Sequence, residues 1–294
     1  MSRIGARLAA GRAAVLAVAC AMLVGGCAFG FPIGHRDVSG LTRRSMQTPD
    51  GRELSYLIGG DPDGVRVIYI HGTPGSAADL AGFVADPVAG TESVAVDRLG
   101  FGESDARSVV SFERQAAAIA GLLEEQDGAR TIVVGHSLGG PIAARLAADF
   151  PERVGGLVIV AGSLDPDLEK PRWFNYAAAL PFVFPLLARP LQHSNVELMA
   201  SPEQTRELAK VLSRVRAPTV VIHGEEDSLV EVENADYMRR RFSHLAHIEV
   251  IRIEGAGHLL PWTRAGVIRD AVAGLVERER REAERARAKS PGGV

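Results

Sequence analysis

The chain has 294 residues, a length that fits one large α/β domain or two small ones. Hydrophobic residues make up 46% and charged residues 23%, which supplies enough apolar material for a sizeable core in an ordinary soluble domain. The formal net charge of −3 gives no reason to expect a nucleic-acid partner. No repeat with a period of roughly 20–50 residues points to a solenoid or a propeller.

The N-terminus has the pattern of a bacterial export signal. Three arginines precede an apolar run over residues 13–24, which is shorter than the roughly 20 apolar residues that a transmembrane helix needs. The run ends in Val24-Gly25-Gly26-Cys27, which resembles the lipobox of bacterial lipoproteins. The resemblance implies that residues 1–26 are removed. It also implies that Cys27 becomes the lipidated first residue and anchors the exported protein to a membrane of the cell envelope.

Cysteine usage fits this interpretation of the N-terminus. Cys20 lies inside the predicted signal, so the mature domain has no two cysteines for an internal disulfide. A plain signal peptide, or an uncleaved anchor with an incidental cysteine, is the alternative. Fatty-acid labelling that is lost in a Cys27→Ala variant would distinguish the lipoprotein from both.

Beyond the signal, composition divides the chain into a tether, a domain and a charged end. We expect a tether at residues 27–44, a folded domain at 45–276 and a solvated helical extension at 277–294, which is rich in arginine, glutamate and alanine. Within the domain, residues 165–214 contain prolines and aromatic residues but no clear strand. An insertion of this kind after a strand predicts a helical lid over the active site. A packing subdomain, or a surface that binds a partner protein, is the alternative.

The rest of the domain alternates between apolar, β-branched segments and helical segments. Strands are predicted at residues 54–58, 65–70, 93–96, 131–134, 156–161, 219–223 and 248–253. Helices are predicted at residues 112–125, 141–150 and 231–241, and from residue 265 onward. The alternation predicts an α/β fold with a mostly parallel sheet and helices on both faces. The short turn between the first two strands predicts an antiparallel N-terminal edge.

The most informative motif is the pentapeptide Gly-His-Ser-Leu-Gly at residues 135–139, which matches the G-x-S-x-G nucleophile elbow. An apolar run precedes it, and a segment rich in helix formers follows it, with Pro141 in the first helical turn. A strand, a tight turn and a helix would hold Ser137 at a sharp, strained corner. Gly135 and Gly139 lack the Cβ atoms that would crowd that corner. The motif therefore predicts a nucleophilic serine.

A serine nucleophile needs a base, and the base needs an orienting acid. Asp227 and His258 each follow a predicted strand, in the chain order Ser, Asp, His that elbow hydrolases use. Asp165 is the alternative acid, and Glu225 and Glu226 fall earlier in the turn that holds Asp227. His71, His136 and His223 are expected to be structural. His244 and His247 lie outside any motif.

Five motifs in one order resemble those of the α/β-hydrolase family. They are His-Gly at residues 71–72, D-x-x-G-x-G-x-S at 97–104, the elbow, G-x-x-D at 224–227 and G-x-x-H at 255–258, and the likeness covers residues 54–273. The resemblance implies an oxyanion hole formed by the backbone N–H groups of Thr73 and Leu138, since Pro74 has no N–H. Asp97 and Ser104 are expected to hold a turn beside that loop rather than take part in the chemistry.

The sequence thus predicts a serine hydrolase that cleaves an ester or related acyl bond of a small apolar substrate through a Ser137 acyl-enzyme. The same triad supports carbon–carbon bond hydrolysis, and the loop at residues 71–75 is similar to that of proline-iminopeptidase-like members. A non-catalytic binding protein of the cell envelope is the alternative from another class. The sequence has no H-E-x-x-H motif and no G-x-x-x-x-G-K-[ST] phosphate loop, so we expect no metal and no cofactor.

Overall fold

The structure, a computed structural model, describes residues 38–289. The predicted signal, Cys27 and most of the predicted tether lie outside these residues, as do residues 290–294. Within the described range, no helix has the length and apolar character needed to cross a bilayer. The predictions of export and lipidation therefore rest on the sequence alone.

In the described part of the chain, nine strands form one mixed sheet. They are β1 (Thr42–Gln47), β2 (Glu53–Gly60), β3 (Val65–Ile70), β4 (Thr91–Val96), β5 (Glu125–Gln126), β6 (Ala129–His136), β7 (Val154–Val160), β8 (Thr219–Gly224) and β9 (Ile248–Ile253). Their order is β1-β2-β4-β3-β6-β7-β8-β9, with β5 paired antiparallel to β6. The strands from β4 to β9 along this path pair in parallel, whereas β1 and β2 are antiparallel to their neighbours. The mostly parallel sheet predicted from the sequence is confirmed.

Helices cover both faces of this sheet. They are α1 (Ala81–Ala85), α2 (Phe112–Ile119), α3 (Gly139–Asp149), α4 (Trp173–Ala178), α5 (Arg189–Ala209), α6 (Glu233–Arg241), α7 (Leu260–Thr263) and α8 (Ala265–Lys289). One apolar cluster joins the sheet to α2, α3 and α6, and a second joins it to α1, α7 and α8. Alternate residues of β3 belong to the two clusters, so they lie on opposite faces. Strands between two such layers are buried on both sides, which explains why β4 and β7 are buried along their whole length.

The N-terminal edge of the sheet is antiparallel, as predicted, but it is not a hairpin of the first two predicted strands. Strand β4 lies between β2 and β3 and pairs with both. The structure also adds β1, which begins at Thr42 and so takes up the last residues of the predicted tether. This strand is mostly polar and exposed, so it has no apolar alternation for a sequence pattern to show. Its Arg43 forms an ion pair of 2.5 Å with buried Asp97.

Two helices end at places that differ from the prediction. Helix α2 ends at Ile119, and a 3-10 turn (Ala120–Leu122) and β5 replace the helix expected up to residue 125, since Gly121 is a poor helix former. Helix α8 runs unbroken through the predicted extension to Lys289. Glu279 on this helix is buried and bonded to Arg130 at 2.5 Å. The extension therefore packs on the domain at this point instead of being wholly solvated.

The insertion between β7 and β8, residues 161–218, is fully described and contains helices but, as predicted, no strand. Its two helices are tied together by a pair of amides. The Asn175 side chain donates to the Asn195 side chain at 3.0 Å, and the Asn195 side chain donates to the Asn175 carbonyl at 3.2 Å. Because the insertion follows the carboxyl end of β7, it lies at the edge of the sheet where α/β proteins place their sites.

Candidate active site

Ser137 occupies a tight corner between β6, which ends at His136, and α3, which begins at Gly139. Its φ of 53° lies in the left-handed region, which costs a residue with a side chain about 1–2 kcal/mol. Two backbone hydrogen bonds of 2.9 Å hold this conformation: the Ser137 N–H donates to the Val160 carbonyl, and the Gly140 N–H donates to the Ser137 carbonyl. The strained corner that the motif predicts is therefore present.

Close approaches around this corner explain the glycines of the motif. A Cβ on Gly135 would lie 2.8 Å from a side chain of α3, and a Cβ on Gly139 would lie 2.7 Å from the His71 carbonyl oxygen. Gly72 is packed as closely, because a Cβ added to it would lie 2.8 Å from the Cβ of Ser137. These approaches bring the loop after β3 directly against the nucleophile elbow.

Of the two residues predicted to stabilise an oxyanion, one follows Ser137 in the chain and the other follows Gly72, which packs on Ser137. Leu138 follows Ser137 at the start of α3, where the first N–H groups of a helix have no partner within the helix and carry partial positive charge. Thr73 is next to Gly72, which packs on Ser137. Within residues 38–289, the buried hydroxyl of Thr73 is among the side-chain groups without a hydrogen-bond partner. This loop therefore holds one further unsatisfied donor close to the serine.

Asp227 and His258 are hydrogen-bonded to each other, with Nδ1 of His258 2.7 Å from Oδ2 of Asp227. The other carboxylate oxygen accepts N–H bonds of 2.9 Å from Leu229 and Val230. Burial raises the pKa of Asp227, but the hydrogen bond and charge of His258 and the two N–H donors outweigh it and hold that pKa below its ordinary value. Asp227 is therefore an ionised, fixed acceptor that selects the Nδ1–H tautomer of His258.

His258 contacts the elbow through His136, the neighbour of Ser137. The Nε2–H of His136 donates to the His258 carbonyl at 3.1 Å, and the two rings lie 4.9 Å apart. Trp262 packs edge-on against the same His136 ring, with ring centres 5.5 Å apart. Among the described residues, the His258 side chain is hydrogen-bonded to Asp227 and its carbonyl accepts from His136 and Leu260, and no hydrogen bond joins His258 to the Ser137 hydroxyl. In serine hydrolases the serine–histidine bond often tightens only when substrate binds.

The alternative acids do not share this arrangement. The side chain of Asp165 accepts a backbone N–H two residues further along its own loop, at 3.0 Å. Glu225 and Glu226 are exposed to solvent. Of the acids that the sequence left open, Asp227 is the one that is hydrogen-bonded to His258.

His71 and His223 are buried and have the structural environments that the sequence analysis expects. Nδ1–H of His71 donates to the Gly72 carbonyl at 2.7 Å, and Nε2 accepts the Arg98 N–H at 3.1 Å. Nε2–H of His223 donates to a backbone carbonyl at 3.0 Å and lies 3.5 Å from Oδ2 of Asp227. Burial lowers the pKa of both rings, so both remain neutral beside the site.

Arg98 is a residue of this site that the sequence analysis missed. Its guanidinium donates to the carbonyls of His71 and Gly72 at 3.0 and 2.8 Å. The same group makes a two-pronged contact of 2.6 and 3.1 Å with Glu197 on α5, and both side chains are buried. The ion pair therefore links the insertion to the loop at residues 71–75, which is predicted to supply an oxyanion donor and is called here the oxyanion loop. Arg98 lies in the D-x-x-G-x-G-x-S motif at residues 97–104, but no motif around Glu197 identifies Glu197 as its partner.

Arg172 makes a second connection between the insertion and the site. It donates to the backbone carbonyls of Ser228 and Leu229 at 2.9 and 3.2 Å. These residues directly follow Asp227, and Leu229 also donates its own N–H to that carboxylate. The insertion therefore contacts both the oxyanion loop and the loop of the acid.

Metal ligands do not cluster at this site. Between residues 38 and 289, no group of three or more His, Cys, Asp or Glu side chains is arranged so that it could hold a metal ion.

Sequence comparison links the chain to known hydrolases. A family model described as the alpha/beta hydrolase fold matches residues 65–189, which include the oxyanion loop and the elbow. Lipase 1 of Psychrobacter immobilis is 24% identical over 260 residues, which cover 76% of this chain and 81% of the lipase. The 2-hydroxy-6-oxononadienedioate/2-hydroxy-6-oxononatrienedioate hydrolase of Paraburkholderia xenovorans is 27% identical over 244 residues, which cover 68% of this chain and 82% of that enzyme.

Structure comparison supports the same fold. The crystal structure of a membrane phospholipase A, a bacterial virulence factor, matches 94% of this chain and 97% of its own, with a TM-score of 0.60 and 22% identity. At that identity the likeness concerns the fold alone. The sheet order, the elbow between β6 and α3 and these matches together show that the chain has the α/β-hydrolase fold.

Proposed function

We propose that the chain is a serine hydrolase that cleaves an ester bond in a small apolar substrate. One observation carries the proposal: the strained elbow presents Ser137 beside His136, whose ring packs on the hydrogen-bonded pair of His258 and Asp227. The similarity to Lipase 1 supports an ester as the class of substrate.

In the proposed mechanism, Nε2 of His258 takes the proton of the Ser137 hydroxyl while the serine oxygen attacks the carbonyl carbon. The N–H groups of Thr73 and Leu138 stabilise the resulting oxyanion, a contribution of about 3–4 kcal/mol for each such donor. His258 then gives the proton to the departing alcohol, which leaves Ser137 acylated. Asp227 stabilises the imidazolium in both steps. A water molecule, deprotonated by His258, releases the acid and restores the serine.

Carbon–carbon bond hydrolysis is the second candidate function, because the chain is 27% identical to the Paraburkholderia xenovorans hydrolase, whose substrates are oxo-diacids. The apolar side chains of the insertion support an apolar acyl or alcohol group instead. A methylene in such a pocket changes specificity by only about 1–3 kcal/mol, so chain-length preference has to be measured. Turnover of esters of increasing acyl length, with an amide and a vinylogous diketone included, ranks the candidates.

The direct test is Ser137→Ala, assayed with short p-nitrophenyl esters. We expect kcat to fall on the order of 10⁶-fold, as when a serine protease loses its nucleophile, with unchanged circular dichroism. Ser213→Ala, at an exposed serine on a turn remote from the elbow, is the matched control and should keep full turnover. Unchanged turnover in Ser137→Ala would show that Ser137 is not the nucleophile. Failure of the native chain to react with a fluorophosphonate probe would favour a non-catalytic binding protein.

A further inference from the structure

The exposed apolar side chains of the protein are concentrated in the insertion. Trp173, Leu186 and Phe182 have the largest exposed fractions, 71%, 65% and 63%. Single exposed apolar residues are ordinary on any protein, whereas a group within one short segment marks a contact surface. Among residues 38–289, all the exposed large hydrophobic side chains form this group, called here the apolar patch: Trp173, Tyr176, Leu180, Phe182, Leu186, Leu191 and Val196.

The patch is the outer side of a segment that is packed on its inner side. Ala178 and Val183 lie in the same stretch of chain and are only 1% and 4% exposed. The hydrogen-bonded amides of Asn175 and Asn195 hold α4 against α5, and both residues are buried. The aromatic side chains are therefore presented outward by a backbone that is fixed from within.

The segment that carries the patch is positively charged in a protein that is acidic as a whole. Residues 170–196 contain Lys170, Arg172 and Arg189 and no Asp or Glu, so their formal charge is +3 against −3 for the whole chain. Lys170 and Arg189 are exposed. The surface of a bilayer that contains anionic phospholipids attracts such cations. Charge complementarity therefore favours an anionic lipid surface as the occupant of the patch.

The residue types of the patch fit the same occupant. Tryptophan and tyrosine side chains are enriched where a bilayer meets water, because each ring has an apolar body and a polar atom that can bond to water or headgroups. Trp173 and Tyr176 lie on one short helix, followed by the apolar Phe182 and Leu186. Aromatic and aliphatic side chains next to cations are the composition of surfaces that lie in the membrane interface.

The part of the chain outside the structure points to the same surface. The sequence predicts an apolar run at residues 13–24 and a lipid on Cys27. Residues 27–37 connect that anchor to the described domain, and when extended they reach roughly 36–40 Å. The domain would therefore remain within reach of the membrane in which its anchor lies.

We propose that the apolar patch docks on the surface of a lipid bilayer that contains anionic phospholipids, with Trp173, Phe182 and Leu186 inserted between the headgroups. The proposal goes beyond the hydrolase activity and does not depend on it, because it concerns the surface on which the domain rests. The insertion also contacts the loops of Gly72 and Asp227, so docking would turn the candidate active site toward the membrane.

The test follows the fluorescence of Trp173, one of the two tryptophans of the chain. The full chain and its Trp173→Phe variant are bound to vesicles of equimolar phosphatidylcholine and phosphatidylglycerol with brominated acyl chains, and their difference reports Trp173 alone. We expect this emission to shift to shorter wavelength, to be quenched by the brominated lipid and to become inaccessible to aqueous iodide. A Trp173→Phe/Ser243→Trp variant is the matched control. Its reporter lies at an exposed turn before β9, at the opposite end of the parallel strands, and should stay accessible to iodide.

Four results would overturn the proposal. The first is that Trp173 remains as accessible to iodide as the reporter at position 243. The second is that a Phe182→Ser/Leu186→Ser variant leaves the quenching of Trp173 unchanged. Shielding of Trp173 that develops with protein concentration in the absence of vesicles would assign the patch to a second copy of the chain. Equal quenching on vesicles of phosphatidylcholine alone would refute the requirement for anionic lipid. Ester turnover has no part in this readout, so an incorrect proposed function leaves the result interpretable.

Discussion

At the residue scale, the carboxylate of Asp227 divides its two oxygens between two tasks. Oδ1 accepts the N–H groups of Leu229 and Val230, both at 2.9 Å, which fixes the position of the side chain. Oδ2 accepts the Nδ1–H of His258 at 2.7 Å. The proton held on Nδ1 leaves Nε2 free to accept one, which is the form that a general base needs. This arrangement is the one that an orienting acid requires.

Asp227→Asn tests this role. The amide is the same size, but its NH₂ group can donate to Nδ1 and so leave the histidine proton on Nε2, the wrong nitrogen for a base. We expect kcat for p-nitrophenyl acetate to fall on the order of 10⁴-fold, the loss known for this change in a serine protease. Asp165→Asn is the matched control and should retain activity. If Asp165→Asn lost activity and Asp227→Asn retained it, Asp165 would be the acid.

The sequence could single out Ser137, Asp227 and His258 as candidates because each depends on a local pattern: an elbow between a strand and a helix, or a turn after a strand. It could not predict the contact of Arg98 with Glu197. These residues are 99 positions apart, and a glutamate that is buried on α5 has no local pattern that separates it from an exposed one. Contacts of that kind are fixed only when the elements pack.

At the element scale, α5 is linked to the oxyanion loop by the buried ion pair of Arg98 and Glu197. The guanidinium of Arg98 holds the carbonyls of His71 and Gly72 on one side and the carboxylate of Glu197 on the other. It also lies over the Phe101 ring, 4.7 Å from its centre. A change at Glu197 therefore reaches the backbone next to the proposed oxyanion donor through Arg98.

Glu197→Gln should affect stability and catalysis together. Removing one partner of a buried pair leaves the Arg98 charge uncompensated and costs about 3–5 kcal/mol of the free energy of unfolding. A displaced oxyanion loop weakens binding of the transition state more than binding of the substrate. We therefore expect kcat to fall, by up to about 10²–10³-fold, the effect of losing one oxyanion donor, with a smaller change in KM. Urea unfolding and steady-state kinetics of ester hydrolysis measure the two effects.

Glu203→Gln is the control for this experiment, because Glu203 is an exposed glutamate on the same helix. It should change neither stability nor kcat. A Glu197→Gln enzyme that is less stable but keeps its kcat would limit the ion pair to packing. The Glu197→Asp variant should recover part of kcat, since a carboxylate would still face Arg98.

The sequence predicts a strand or a helix where burial of one or both of its faces gives a recognisable pattern of apolar residues. Strand β7 in the middle of the sheet is covered on both faces and appears in the sequence as a run without a polar side chain. Strand β1 could not be found in this way, because it is a polar edge strand held by backbone pairing and by Arg43. The pairing of β2 with β4 was also hidden, since strand order depends on how the connection from β3 to β4, whose helix α1 contacts β2 and β4, packs on the sheet rather than on the turn after β2.

At the scale of the whole molecule, three buried histidines near the elbow make stability depend on pH. Burial lowers the pKa values of His71, His136 and His223, and that of His136 falls to about 3. In the unfolded chain each ring titrates near its ordinary pKa of about 6.5. Between that value and the lowered folded pKa, the unfolded chain binds more protons than the folded one. Acid therefore favours unfolding throughout this window, and stability is complete only above it.

The lowered pKa of Asp227 acts in a different range. The stability it contributes is present above the ordinary carboxyl pKa of about 3.9 and is lost only as the pH falls through the lower, folded value. Between pH 5 and pH 7.5 the contribution of this carboxylate is therefore nearly constant. Over that interval the three histidines lower the free energy of unfolding as the pH falls, whereas Glu169, whose pKa is raised by burial, acts in the opposite direction.

We expect the free energy of unfolding, measured by urea titration, to be lower at pH 5 than at pH 7.5, with His136 alone accounting for about 2 kcal/mol. His136→Gln keeps a donor for the His258 carbonyl but removes the titrating ring, so the pH-dependent loss should shrink by that amount. Trp262→Phe is the matched control, because it alters the packing on the same ring and adds no titrating group. It should lower stability equally at both pH values. If His136→Gln kept the full pH dependence of the native chain, the buried His136 ring would not be the neutral group that its surroundings require.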